Sequence, residues 1–155
     1  LKGRSLDIAR RRAADAGLTN VNFFQGDICA YDMPFDVGLA LHACGTASDL
    51  VLEACVKAGA SFIVCPCCTG KLSADRTDVY RFAVTGDNIA RVLYPRSAAI
   101  RSILPQDEYN FLACAADVSD VNLLRGQRGL LRRLAKAYLE HDRVLRAEEV
   151  GYVAR

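Results

Sequence analysis

Two short stretches of this chain gather side chains that can move protons, donate hydrogen bonds or bind soft cations. They are His42-Ala43-Cys44-Gly45-Thr46 and Cys65-Pro66-Cys67-Cys68. Imidazole changes charge near neutral pH, so His42 suits a base or a hydrogen-bond donor. The plainer alternative is a strand-end histidine bonded to backbone. Gly45 leads directly into a helix start at Thr46, where free N–H groups and the positive end of the dipole can orient a carboxylate, a phosphate or a polar substrate atom. The same position lowers a thiol pKa, which makes Cys44 a candidate, although no acyl-transfer motif surrounds it. Cysteine and histidine together can hold tetrahedral zinc. The spacings H-x-C and C-C are not C-x-x-C knuckles, however, and adjacent cysteines point apart in a strand, so no metal ligand is assigned. Asp27 and Ile28 form a third position. An acid directly after a strand can accept from an adenine amino group while the next N–H meets the ring; the alternative is a turn aspartate capping its own backbone. Cys29, Cys55 and Cys114 read as small core residues.

The elements that must position these groups follow from hydrophobic spacing. Residues 3–16 read as a helix with Leu6, Ala9, Ala13 and Ala16 on one face, closed by Gly17. Val21–Gln25 is rich in β-branched and aromatic residues and is predicted as a strand. Phe35–Leu41 and Ala60–Cys65 are mostly apolar, as in strands covered on both faces of a parallel sheet. Between them, Thr46 and Asp49 resemble a capping box opening a helix to about Lys57, with Leu50, Ala54 and Ala58 inward and Gly59 as its stop. Helix, strand, strand, helix, strand is the order of a doubly wound α/β sheet, whose ligands sit beyond the carboxyl ends of the strands. His42–Gly45, Pro66–Cys68 and Gly26–Ile28 all fall at such ends. The connection over residues 26–34 is too short for a crossover helix, so the strands flanking it need not be neighbours. Lys71–Thr77 reads as a loop and Tyr80–Leu93 as weakly helical. Further helices are expected near 97–103, 106–118 and 128–149.

At 155 residues the chain suits one domain with a real core. A hydrophobic share of 52% with 25% charged residues argues against disorder. Seven cysteines, an odd number, argue against a disulfide scaffold and for a reducing, cytoplasmic setting. No apolar run approaches the ~20 residues needed to span a bilayer, so no membrane partner is expected. The net charge of +2 gives the whole molecule no strong attraction to nucleic acid. Basic residues do concentrate in 1–12 and in 125–146, as phosphate-facing patches or, more commonly, as solvated helix faces. No G-x-G-x-x-G run occurs, although a nucleotide-binding sheet normally carries one after its first strand.

The string Ala40-Leu41-His42-Ala43-Cys44-Gly45-Thr46-Ala47-Ser48-Asp49, followed by Cys65-Pro66-Cys67-Cys68, resembles the L-H-x-C-G-x-x-x-D and P-C-C signatures of one methyltransferase group. That group is the glutathione S-transferase C-terminal domain-containing protein family and, more distantly, the tRNA ribose methyltransferases with H-x-C-G and C-C pairs. Ser5-Leu6 with Arg10–Arg12, and Asp142-Arg143, Ala147–Glu149 and Gly151-Tyr152, extend the resemblance to both ends; residues 70–93 match least. Glu140 stands where the pattern has an aspartate two residues before Asp142. The resemblance implies an α/β, partial Rossmann-like class I methyltransferase sheet flanked by helices, in a single truncated domain over residues 1–155. It implies S-adenosyl-L-methionine as cofactor, contacted by Asp27, Ile28, His42 and Gly45. His42 and Cys44 would be the catalytic residues, and Pro66, Cys67 and Cys68 would face the acceptor, with RNA the favoured partner. The glycine loop would lie before Leu1, so the stretch by itself is expected to be inactive. The competing expectations are a Cys/His metal-binding module and a non-catalytic interaction module.

Overall fold

The computed structural model describes residues 3–69, 72, 92–118 and 120–154. Helix α1 (Gly3–Asp15) ends as expected on Gly17, at φ 68°, with the Leu18 N–H reaching back to Ala13. Leu6 is its buried residue, and Ala16 is exposed. Val21–Gln25, predicted as a strand, carries no strand pairing. Residue type favours pleated backbone there, but a strand exists only through its neighbour's hydrogen bonds, and no described strand lies beside it. The chain turns instead at Asp27, whose carboxylate accepts the Cys29 N–H at 2.8 Å and caps a 3-10 turn over Ile28–Ala30. Edge-to-face contacts from Phe24 to Tyr31 (5.4 Å) and Tyr31 to Phe35 (5.9 Å) hold this loop to the start of the sheet.

Strands β1 (Val37–Leu41) and β2 (Ser61–Cys65) pair in parallel, Val37 opposite Ser61 through Leu41 opposite Cys65, with helix α2 (Ala47–Ala58) as the crossover. A two-stranded parallel sheet flanked by helices is the partial Rossmann-like α/β arrangement the sequence indicates. Gly38 sets how close α2 sits: a Cβ there would stand 2.2 Å from the Cys55 sulfur. The strands are not covered on both faces as expected. Gly38 and Ala40 are buried, whereas Leu39, Leu41 and Ile63 are 72%, 73% and 67% exposed, because among the described residues α2 packs on one side. The inner face of α2 is also displaced from the expected stripe, running through Ser48, Asp49, Leu52 and Cys55 while Ala58 is exposed. Counting apolar residues misplaces it because a charged residue, Asp49, turns inward. Gly59 ends the helix at φ 66°.

Beyond the sheet come α3 (Ala98–Arg101), α4 (Gln106–Ala116) and α5 (Gly126–Glu149), matching the expected positions. The expected loop at 71–77 and weak helix at 80–93 lie outside the described residues, apart from Leu72, Val92 and Leu93. Helix α4 packs along α5 around Tyr109, Ala113, Ala135 and Leu139, with Leu72 and Tyr94 closing the cluster. The Tyr94 and Tyr109 rings stack at 5.8 Å. Burying Leu139 fully contributes about 1.5–3 kcal/mol. Among the described residues no helix is long and apolar enough to cross a membrane.

An ion-pair network joins α2 to α5. Arg143 grips Asp49 with two bonds, 2.9 and 3.0 Å, and the Tyr94 hydroxyl donates to the same carboxylate at 2.8 Å. Arg96 lies 3.4 Å from Asp49 and also pairs with Glu53, which Arg146 approaches at 3.2 Å. Asp142 accepts from the backbone N–H groups of Arg96 and Ser97 and from the Ser97 hydroxyl. The Tyr152 hydroxyl bonds to the carbonyls of Cys55 and Ala60, tying the end of α5 to the root of β2. Asp49 therefore does not complete a capping box: Thr46 makes no side-chain cap bond, and the acid is spent on arginine.

Candidate active site at the carboxyl edge of the sheet

Because β1 and β2 are adjacent and parallel, the turns that follow them emerge side by side. His42 N–H still bonds to Cys65 at 3.2 Å, and three residues on, Gly45 N–H bonds to the Cys68 carbonyl at 3.1 Å, so the two turns are laced together. The backbone reverses by two left-handed residues, His42 at φ 54° and Gly45 at φ 57°. Glycine takes that conformation freely, but a histidine held there is strained, a cost of about 1–3 kcal/mol that clusters at functional positions. The strain places an exposed imidazole at the strand end. Ser48 donates to the Ala43 carbonyl from the first turn of α2. On the other side, Lys136 of α5 donates to the carbonyls of Pro66 (3.2 Å) and Cys67 (3.1 Å), and Thr69 bonds to the Ala113 carbonyl of α4.

These bonds bring three sulfurs together. Cys44, Cys67 and Cys68 lie within 4.8 Å of one another, all partly buried, with Cys44 and Cys67 at 3.1 Å. The expectation that adjacent cysteines point apart does not apply, because Cys67 and Cys68 follow the last strand residue, Cys65, and escape its alternation. The thiol acidities are reversed as well. Cys67 is lowered to about 7, chiefly by its hydrogen bond with the Cys44 thiol and then by the His42 imidazole. Cys44, expected to be the acidic thiol at the helix start, is raised to about 11, since its proton is held in bonds to Cys67 and Cys68. Of the pair, Cys67 is the more acidic thiol.

Asp27 takes the plainer of its two roles through one carboxylate oxygen, which caps Cys29, and Ile28 begins the short turn that packs on α2. Cys55 is core, as read, but Cys29 and Cys114 are exposed. The basic run of 125–146 is partly consumed inside: Arg143 and Arg146 serve the ion network and Lys136 the Pro66 turn, while Arg125, Arg128 and Arg133 stay exposed. Sequence reasoning missed Lys136, Asp49, Tyr94 and Arg96. The available signal was register: Lys136, Leu139, Arg143 and Ala147 fall on one helical stripe, so its charged members must meet partners inside.

A parallel β-α-β crossover with histidine, glycine and three thiols at its carboxyl edge is a partial Rossmann-like α/β unit. In agreement, residues 2–75 match the family described as a methyltransferase domain, and the chain belongs to that family. It is homologous to the glutathione S-transferase C-terminal domain-containing proteins. Over 97% of its length it is 34% identical to the one from Homo sapiens and to the homolog from Drosophila melanogaster, and 31% identical to the one from Xenopus laevis. It spans about a fifth of the length of these curated relatives, 22% of the human and 24% of the fly protein. No solved structure matches the chain.

Proposed function

We propose that this domain transfers a methyl group from S-adenosyl-L-methionine to an acceptor held beside the His42–Gly45 turn, with RNA the favoured acceptor, in the cytoplasm. The supporting observation is the lacing of the His42–Gly45 and Pro66–Cys68 turns at the carboxyl ends of two adjacent parallel strands, where sheets of this kind take their ligands. The residues present fit the adenine side of the cofactor. Asp27 spends one carboxylate oxygen on Cys29 and has the other for an amino group, and exposed Ile28 begins a turn packed on the crossover helix. Gly45, left-handed and free of Cβ, lets the cofactor approach the backbone. When bound, S-adenosyl-L-methionine supplies an electrophilic methyl carbon on its sulfonium. His42, held exposed by strained backbone, orients the acceptor and takes its proton. Cys44, Pro66, Cys67 and Cys68 wall the acceptor side. Exposed Arg10–Arg12, Arg125, Arg128 and Arg133 supply phosphate contacts.

Calorimetric titration of S-adenosylhomocysteine into the protein at its natural length, with His42→Ala alongside, tests the reading. Binding is expected to survive the substitution within a few-fold, while methylation of RNA falls by about 10²–10⁴, the usual contribution of a positioned base. A wild-type protein that binds no S-adenosylhomocysteine overturns it.

A further inference from the structure

The three sulfurs at the sheet edge have more built around them than a pocket wall needs. Cys44, Cys67 and Cys68 stand within 4.8 Å of one another on two turns that hydrogen bonds have already fixed. None of those fixing bonds uses a sulfur. Gly45 N–H holds the Cys68 carbonyl, Lys136 holds the carbonyls of Pro66 and Cys67, and Ser48 holds Ala43. The backbone is thus preorganised without the sulfurs, whose own bonds are the weak ones of thiols, Cys44 to the His42 carbonyl at 3.6 Å and to Cys67 at 3.1 Å. Around a tetrahedral zinc, with each Zn–S bond near 2.3 Å, neighbouring sulfurs stand about 3.8 Å apart. Reaching that from the 3.1 Å between Cys44 and Cys67, and from at most 4.8 Å elsewhere, takes side-chain shifts on the order of 1 Å.

We infer that Cys44, Cys67 and Cys68 form a three-thiolate zinc site whose fourth position is open to a small ligand beside His42. The donor set selects the cation: thiolates suit zinc, whereas magnesium and calcium take oxygen ligands. Ligands of this kind must be deprotonated, so binding releases the thiol protons to water, and no other bond is made or broken. Three thiolates around a divalent cation leave one negative charge, and the Lys136 ammonium at the Cys67 carbonyl stands close enough to offset it. Three protein ligands and an open position is the arrangement of zinc sites that handle substrates rather than of closed structural ones.

The test is made on the protein at its natural length, purified under reductant without chelator. Elemental mass spectrometry is expected to find one zinc per chain. After stripping, cobalt(II) titration is expected to give the visible bands of tetrahedral cobalt together with a near-ultraviolet thiolate charge-transfer band, both abolished by added zinc. Cys67→Ser and Cys44→Ser each weaken zinc by more than about a hundredfold, beyond the 10–100-fold typical of losing an outer-shell partner. Cys114→Ser, an exposed cysteine outside the cluster, leaves zinc affinity unchanged. The cobalt spectrum of the unmutated protein keeps the test independent of whether any variant folds. Cobalt bound without a thiolate band, zinc retained by the Cys44→Ser/Cys67→Ser/Cys68→Ser triple variant, or a Cys44–Cys67 disulfide in place of metal each overturns the site. S-adenosylhomocysteine titrated into the same samples separates the two readings. Cofactor bound without zinc sinks the metal alone, and zinc bound without cofactor sinks methyl transfer alone.

Discussion

The molecule holds two clusters of reactive side chains that meet at the start of α2, and it treats them oppositely. The thiol edge (His42, Cys44, Cys67, Cys68) is half-open, strained at His42, and fixed through backbone atoms, with its sulfurs engaged only in weak thiol bonds. The ionic network beneath it (Asp49, Arg143, Asp142, Arg96) is almost fully buried, and its carboxylates are spent on arginine, tyrosine and backbone N–H groups. A buried charge is tolerated only when paired, so the network can hold the fold and little else. At the edge, water meets the cost of polarity, and chemistry can be kept in reserve. Asp49 is three residues past Thr46, in the first turn of α2, so the same helix serves both regions.

The sharpest way to break this contrast is at Arg143. Arg143→Ala leaves Asp49 charged and wholly buried, and is expected to cost about 3–5 kcal/mol in a urea melt. Removing both charges, as Arg143→Met with Asp49→Leu, should restore much of that loss. A double variant as unstable as the single one would show that the pair does more than satisfy itself. At the edge, the expected difference is in reactivity. With Cys67 near 7 and Cys44 near 11, initial alkylation by iodoacetamide at pH 7 should favour Cys67 about a hundredfold, after allowing for the greater nucleophilicity of the more basic thiolate. Its rate should rise through pH 7, because deprotonation creates the attacking species. Mass spectrometry of the modified peptides reads both; equal labelling of the two would dissolve the donor–acceptor pair.

Gly38→Ala probes the seam between sheet and helix. Its methyl would meet the Cys55 sulfur, and a loss of about 1–3 kcal/mol in thermal melts is expected, relieved in part by Cys55→Ala. The smallest effect sharpens the contrast most. His42→Gly should leave stability unchanged or raise it by up to about 1 kcal/mol, by releasing left-handed strain against glycine's added freedom in the unfolded chain. Methyl transfer should fall in the same variant. If His42→Gly clearly destabilises the fold, His42 belongs to the structural region and not to the site.

The sequence alone determined the local grammar. Gly17 and Gly59 stop their helices where expected, α3, α4 and α5 fall near their predicted places, and the apolar runs at 37–41 and 61–65 form the paired strands. Those outcomes depend on residues close in the chain, where propensity and spacing act. Sequence also singled out Cys44, Cys67 and Cys68, and the structure brings their sulfurs within 4.8 Å of one another. Tertiary structure decided everything that needs a distant partner. Among the described residues Val21–Gln25 has no neighbouring strand to pair with, and Asp49 left its capping role because Arg143, far along the chain, reached it. The pairing of Cys44 with Cys67 likewise exists only because the two turns meet across the sheet edge. Backbone propensity is read within a turn or two; hydrogen bonds and ion pairs between remote residues exist only after the chain has closed on itself.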